Sequence, residues 1–115
     1  MKKGVYMEWL FVLLFLIGAF GIQFGNGWLS KNGISLVSFA TILPLLIIAQ
    51  YLIASGYAAG TQAFDFVKAH IIWTAILIVA TLVVNFYLFQ TMPGYMTLFA
   101  LLLAGVASVL AVLGK

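Results

Sequence analysis

The chain has 115 residues, of which 66% are hydrophobic and only 6% are charged, so it has too few polar groups to cover its apolar surface in water. We therefore predict one all-α domain over residues 1–115 whose solvent is the lipid bilayer. The five lysines are scattered rather than gathered in a basic stripe, which excludes a nucleic-acid partner, and the absence of cysteine excludes disulfides and thiolate metal sites.

The first predicted membrane span covers residues 6–29. Its apolar run of 23 residues is longer than the hydrophobic region of a signal peptide, and no small-residue cleavage site leads into a polar domain. Trp28 is typical of an anchor at the membrane surface. We expect the helix to loosen at Asn26 and Gly27, just before this anchor.

Three glycines in this span, Gly18, Gly21 and Gly25, fall within about 60° of one another on a helix. Their spacing predicts a surface on which another membrane helix docks closely. A nucleotide-binding loop is excluded because no strand precedes the glycines and no βαβ unit exists. Gln23 lies among them without an obvious partner, and we expect Asn85 to be that partner.

Three further spans are predicted after the first. They cover residues 34–59, 63–90 and 95–113, and turns at residues 30–33, 60–62 and 91–94 separate them. Connections this short make neighbouring helices antiparallel, so we predict a four-transmembrane-helix antiparallel bundle.

Lysine placement predicts the orientation of this bundle, because loops rich in lysine stay cytoplasmic. Four lysines fall on the side that holds both termini, whereas only Lys31 falls on the opposite side. The four are Lys2, Lys3, Lys68 and Lys115. We therefore expect a multi-pass protein of the cell membrane with both termini inside.

The third span carries a polar stripe of four residues that lie within about 60° of one another on a helix: His70, Thr74, Thr81 and Asn85. Polar side chains in a span rarely face lipid, so the stripe should point into the bundle. Two interpretations stay open. The stripe is either a hydrogen-bonded seam between helices or part of a route for a substrate or proton.

Helix rise places these polar residues in two layers. Gln23 and Asn85 lie about 22 to 25 Å from the inner side, at ~1.5 Å per residue. Gln50, His70 and Thr74 are expected to lie near the inner side, and Pro44 lies in the apolar middle between the two layers. We take Gln23, Gln50 and the four stripe residues as candidates for a substrate pathway.

Few ionisable residues are available. Glu8 lies one turn into the first span, where it can reach the headgroups and pair with Lys2 or Lys3. Asp65 and Lys68 are spaced as a helix-surface pair. His70 is the residue best suited to carry a proton, although a hydrogen-bonded packing role is the alternative.

The fourth span carries small residues at helical spacing, which predicts a seam for another span or for a second copy. These residues are Ala100, Ala104, Ala107 and Ala111, with Thr97 and Ser108 beside them. Four spans rarely enclose a transport route alone, so we expect an oligomer, such as a homodimer, or a larger membrane complex.

We predict no catalytic residue, cofactor or metal, because the sequence has no metalloprotease or nucleophile-elbow motif and no paired intramembrane carboxylates. One histidine and two carboxylates do not make up a usual metal site. The protein is therefore not expected to be an enzyme.

The chain resembles the four-span members of the drug/metabolite transporter superfamily, which include the small multidrug resistance proteins, over about residues 49–110. The similar positions are Ala49-Gln50-Tyr51, Phe64 with Lys68, Ile71-Ile72, Phe86-Tyr87-Leu88, Pro93 and Phe99-Ala100-Leu101. The resemblance implies a four-helix bundle, a dimer with the fourth span at its interface, and export of small cationic molecules or metabolites.

One difference from the small multidrug resistance proteins concerns the first span. Those proteins carry a glutamate in its middle that binds substrate and protons in turn, whereas here that depth is apolar and Glu8 lies near the membrane surface. Gln23, the nearest central polar group, does not ionise. Two functions follow from the sequence: an oligomeric permease for a small molecule or metabolite, or a non-catalytic accessory subunit of a larger membrane complex.

Overall fold

A computed structural model of the protein describes residues 3–114, with side chains described for 9–62, 64–111, 113 and 114. This part of the chain forms four helices: α1 (Lys3–Asn32), α2 (Leu36–Ala63), α3 (Phe66–Phe89) and α4 (Tyr95–Leu113). The predicted all-α fold with four helices is therefore confirmed. The expected pairing of Glu8 with Lys2 or Lys3 concerns side chains outside the described residues.

Three of the helices contain segments long and apolar enough to cross a membrane. These segments are Trp9–Asn32, Leu36–Gln62 and Phe66–Phe89, whereas the apolar segment Tyr95–Ala111 of α4 is shorter. The prediction of a membrane-embedded helical protein is therefore confirmed.

We expected the first helix to loosen at Asn26 and Gly27, but it continues to Asn32. Side chains of its last turns explain the difference: the Ser30 hydroxyl donates to the Asn26 carbonyl at 3.0 Å, and the Asn32 amide donates to the Trp28 carbonyl at 2.9 Å. The helix ends where Gly33 takes a φ of +85°, which glycine adopts without steric cost.

The second helix continues through residues 60–62, where we expected a turn, and ends at Ala63. Gly60 allows close packing instead of a turn, because a Cβ there would lie 3.1 Å from the Phe11 ring and 3.4 Å from Ala69. The chain turns at Phe64 and Asp65.

Asp65 begins α3 as its N-cap, and its carboxylate accepts the backbone N–H of Lys68 at 2.7 Å. The expected side-chain pair between Asp65 and Lys68 is not what the structure contains. The Lys68 amino group donates instead to the Gly114 carbonyl at the end of α4, at 2.9 Å. Both charges therefore stabilise helix ends, where partial charges of the opposite sign are left unpaired.

Successive helices run antiparallel, and α1 lies in the centre, packed against α2 on one side and α3 on the other. The two remaining contacts between helices are a short one between α2 and α3 and one between α3 and α4. Among the described residues, α4 contacts α3 alone. The molecule is a flat slab of 45 × 35 × 21 Å, with α4 at its edge rather than closing a bundle.

The helix connections and chain ends divide between the two ends of the slab. We call the end with the α1–α2 and α3–α4 connections the two-loop end. The opposite end, where α1 begins, α2 joins α3 and α4 finishes, is the termini end.

The core lies between α1, α2 and α3 in the half nearer the termini end. Phe11 and Phe15 of α1 are its fully buried large side chains. Their rings meet edge to face at 5.7 Å, and the Phe15 ring also contacts Tyr57 at 5.1 Å and Trp73 at 5.3 Å. This aromatic cluster holds three helices together at one depth.

Candidate functional site

A polar pocket lies between α1 and α3 in the half nearer the two-loop end. Its volume is about 150 Å³, and it is lined by Gln23, Asn26, Gly27, Ser30, Thr81, Val84, Asn85 and Phe89. Five of these eight residues carry an amide or a hydroxyl group, in helices that are otherwise almost wholly apolar. We call it the polar pocket.

A hydrogen bond between α1 and α3 crosses this pocket: the Gln23 amide donates to the Thr81 hydroxyl at 2.5 Å, and that hydroxyl donates to the Leu77 carbonyl at 2.7 Å. Our prediction that Gln23 pairs with Asn85 is wrong by one helical turn. The parallel packing of α1 and α3 puts Gln23 level with Thr81. Asn85 lies nearer the two-loop end, where its amide donates to the Thr91 carbonyl at 2.9 Å.

The remaining polar groups of the pocket extend along α1. The Asn26 amide donates to Gln23 Oε1 at 3.3 Å, and Ser30 donates to the Asn26 backbone. Within the described residues, the side-chain carbonyls of Asn26 and Asn85 accept no hydrogen bond. The pocket therefore presents free acceptors to any molecule that enters it.

The pocket has no acidic side chain. Both carboxylates of the sequence, Glu8 and Asp65, belong to the segments at the termini end, and Lys31 is the one charged residue that the sequence places at the two-loop end. The Lys31 amino group donates to the Leu88 carbonyl at 2.9 Å, which caps the last turn of α3. The side chains that line the pocket are therefore uncharged hydrogen-bond donors and acceptors.

A second polar cluster lies toward the termini end, where the Tyr57 hydroxyl is 2.6 Å from His70 Nδ1. The two rings stack with centroids 6.2 Å apart, and Thr74 donates to the His70 carbonyl at 2.9 Å. The Nε2–H tautomer of a neutral imidazole accepts a hydrogen bond from the phenol O–H at this nitrogen, whereas the Nδ1–H tautomer donates to the phenol oxygen. The pair therefore forms with either tautomer of His70, whose side chain is exposed.

The polar stripe of α3 is thus divided in two. Between Thr74 and Thr81 all six residues are apolar, over a rise of about 10 Å. Phe15 and Trp73 lie on the termini side of the polar pocket, in contact with each other. A single copy of the protein therefore contains two separate polar clusters and an apolar segment of α3 between them.

Gln50 belongs to neither cluster. We expected it near the inner side with His70 and Thr74, but it lies at the midpoint of α2, and its side chain is exposed. Its neighbour Ala49 packs against Gly21 of α1, which is also far from either end. Tyr57 lies on the same side of α2 as Gln50, but two helical turns, about 10 Å, nearer the termini end.

The structure places the three glycines of α1 against α2. A Cβ on Gly18 would lie 2.7 Å from Ile53 and 3.2 Å from the Ala49 carbonyl oxygen, and a Cβ on Gly21 would lie 3.1 Å from the Ala49 side chain. Gly25 faces Leu46 in the same way. The α1–α2 seam is therefore a close approach of two backbones.

The four alanines of α4 are placed differently. Ala104 and Ala111 are half-buried, whereas Ala100 and Ala107 are exposed. The side of α4 that meets α3 is rotated toward Ser108, which lines an apolar cavity of about 240 Å³ between the two helices together with Ile72 and Ile76. The α3–α4 contact is loose by comparison with the α1–α2 seam.

Sequence reasoning missed three polar residues of these sites, Asn26, Ser30 and Tyr57. Asn26 lies three residues after Gln23, and Ser30 lies four residues after Asn26, which would have placed all three on one helical face had α1 been predicted to continue. Tyr57 lies close to the end of α2, where a tyrosine is usually explained as a membrane-surface anchor.

Comparison with known proteins adds no relative: no family model matches the chain, and no curated protein or solved structure shows significant similarity to it. Within the part of the chain that the structure describes, no group of three or more His, Asp or Glu side chains is positioned to hold a metal ion.

Proposed function

We propose that the protein is a four-span membrane protein with both termini inside, and that it acts as an oligomeric permease for a small molecule or metabolite. The observation that carries this proposal is the polar pocket between α1 and α3. Amides and hydroxyls inside membrane helices are costly and usually face a partner or a wet cavity. Here Gln23, Thr81 and Asn85 come together in one cavity, where the side-chain carbonyls of Asn26 and Asn85 accept no hydrogen bond from the described residues.

The chemistry of the pocket favours an uncharged substrate with O–H or N–H donors. No carboxylate is available to bind a cation, and Lys31 is the nearest charge that the sequence supplies at this end. A volume of about 150 Å³ corresponds to roughly five water molecules at ~30 Å³ each. Small polyols, amides and ureas have this size and this chemistry.

Oligomerisation is part of the proposal because one copy holds only half of a route. The apolar segment between Thr74 and Thr81 separates the polar pocket from the His70 cluster. A second copy is needed to provide a polar path past this segment. The edge position of α4 and the open surface of α2 leave room for such a copy.

Flux through reconstituted liposomes tests the proposal. We expect protein-dependent entry of urea or glycerol, measured by stopped-flow light scattering, and no entry of tetramethylammonium. The variant Thr81→Val with Asn85→Leu should lose most of this flux. Ser108→Ala is the matched control, because that hydroxyl bonds only within α4, to the Ala104 carbonyl. Unchanged flux in the pocket variant, with only a lower melting temperature, would reduce the pocket to a packing seam.

Proton coupling is tested separately at His70. If the Tyr57–His70 pair carries protons, a pH gradient drives flux in the wild type but not in His70→Gln. Tyr57→Phe keeps the ring stacking and removes the hydroxyl, so it separates packing from proton transfer. Flux that is indifferent to both changes removes His70 as a proton carrier.

An accessory subunit is the second candidate, and the position of α4 favours it. This helix contacts only α3 among the described residues, and its other sides expose Leu102, Val106 and Leu110. A larger membrane protein is able to cover these sides. Co-purification with other membrane proteins at fixed stoichiometry in mild detergent supports the subunit, whereas a stable isolated oligomer supports the permease.

A further inference from the structure

Gln50 occupies an unusual position for an amide. It is the fifteenth of the 28 residues of α2, so about 20 Å of helix separates it from either end. The hydrocarbon core of a bilayer is ~30 Å thick, which puts Gln50 near the middle of it. A glutamine side chain is too short to reach the headgroups from that depth.

No side chain in the described part of the chain satisfies this amide. The side chain is exposed, and none of the hydrogen bonds among the described side chains involves it. An unpaired amide in hydrocarbon is unfavourable, because it has given up its hydrogen bonds to water and gained none in exchange. Such groups in membrane spans therefore find polar partners on another helix.

The surroundings of Gln50 suit a helix partner. Ile47 and Ala54 lie within about 60° of Gln50 around α2, and Ala58 lies one further turn along. All three are exposed, and the two alanines allow a second backbone to approach closely. Helix α1 packs against a neighbouring side of α2, through Ala49 and Ile53, which lie about 60 to 100° from Gln50 in the opposite sense to Ile47 and Ala54.

We propose that a second copy of this chain docks on this α2 face and that Gln50 of one copy hydrogen-bonds to Gln50 of the other. We call the face, formed by Ile47, Gln50, Ala54 and Ala58, the Gln50 face. A primary amide is self-complementary, since it carries both a donor and an acceptor. The proposal deepens the oligomer of the proposed function and rests on it only in requiring that two copies meet.

Symmetry favours a second copy over another partner. A two-fold axis makes the same patch meet itself, so Gln50 faces its own counterpart if it lies near that axis. Because Gln50 lies at the midpoint of its helix, this holds for an axis along the membrane normal and for one in the membrane plane. A different protein would need its own polar group at the same depth.

Single-cysteine crosslinking tests the Gln50 face directly, because the chain contains no cysteine. Gln50→Cys is oxidised in liposomes with copper–phenanthroline, and the disulfide-linked dimer is measured on a non-reducing gel. We expect a disulfide-linked dimer well above background, because oxidation traps the pairs that the rest of the Gln50 face still forms without the amide.

Two control variants match Gln50 in depth and exposure. Ile17→Cys lies at the middle of α1 and Leu103→Cys at the middle of α4, and both side chains are about half exposed, at 51% and 53%. We expect background yields from both. A high yield from Leu103→Cys and a background yield from Gln50→Cys would overturn the Gln50 face while leaving an oligomer in place. Background yields from all three, with a monomeric mass, would overturn both.

Association in lipid gives a second measurement that does not use cysteine. Gln50→Leu should raise the dissociation mole fraction, measured by fluorescence energy transfer, by about three- to tenfold, which is the effect of one or two hydrogen bonds between membrane helices. Gln50→Asn keeps the amide, and its dissociation mole fraction should lie between those of the wild type and Gln50→Leu. Unfolding of the monomer should not change in either variant. Equal association of Gln50→Leu and the wild type would contradict the proposal.

Discussion

The two helices that begin and end the chain, α1 and α4, are both apolar and both carry small residues at spacings of three and four, yet they pack in opposite ways. The glycines of α1 face filled space: a Cβ on Gly18 would collide with Ile53. Gly105 of α4 has no atom of another residue within 4 Å of its Cβ position. Small residues therefore make a tight seam only where the facing helix fills the space they leave.

The difference between α1 and α4 follows from what surrounds the small residues. In α1 the glycines share the helix with Phe11 and Phe15, whose rings fill the space between three helices. In α4 the neighbours of the alanines are Leu and Val side chains that point outward, and Val106 and Leu110 are at least half exposed. In lipid there is no hydrophobic effect that would favour packing these side chains against another helix.

Loss of the Phe15 ring should break this comparison most strongly. Phe15→Ala removes a side chain with 0% exposure that contacts Tyr57 and Trp73. Buried Phe→Ala changes cost about 3 to 5 kcal/mol, and we expect the lower part of this range because lipid is as apolar as the core. Leu102→Ala on α4 should cost no more than about 0.5 kcal/mol, since Leu102 is exposed. Unfolding in detergent measures both, and equal losses would mean that α4 is as tightly packed as α1.

Filling the space beside a glycine in the α1–α2 seam should have the next largest effect. In Gly18→Ala the new methyl group meets Ile53 and two backbone atoms of α2, so the helices must separate, at a cost of about 1 to 3 kcal/mol. Gly105→Ala is the matched change on α4. It meets nothing and should stabilise the protein by up to about 1 kcal/mol through helix propensity. If Gly18→Ala stabilises the protein, the backbones of α1 and α2 do not approach closely at Gly18.

The hydrogen bond between α1 and α3 should give the smallest effect. A double-mutant cycle with Gln23→Leu and Thr81→Val should yield a coupling energy of about 0.6 to 1.7 kcal/mol, as found for hydrogen bonds between membrane helices. The same cycle with Gln23→Leu and Asn85→Leu should give a lower value, because Asn85 bonds to Thr91. A larger coupling to Asn85 would restore the pairing that we expected from the sequence.

The sequence predicted the presence of four helices and three members of the polar pocket. Hydropathy and turn residues are local signals, and the helical spacing of Thr81 and Asn85 fixes their common face whatever surrounds them. The depth predicted for Gln23 was also close to its position in the structure, because a constant rise per residue places it near Thr81 and Asn85.

Placement of α4 did not follow from the sequence. An apolar helix in lipid has no strongly preferred face, so its small residues alone do not say which side meets a neighbour or how tightly. The length of α1 was missed for a different reason. Side-chain bonds to the helix's own carbonyls, from Ser30 and Asn32, outweigh the helix-breaking tendency of Gly27.

Both described lysines donate to the carbonyl end of a helix that the ribosome makes later. Lys31, in the last turn of α1, bonds to Leu88 near the end of α3, and Lys68, in the first turn of α3, bonds to Gly114 just after α4. Each lysine therefore gains its partner only after a further length of chain, 57 residues in one case and 46 in the other, has been synthesised. The partner of Lys31 is thus present in the growing chain before the partner of Lys68.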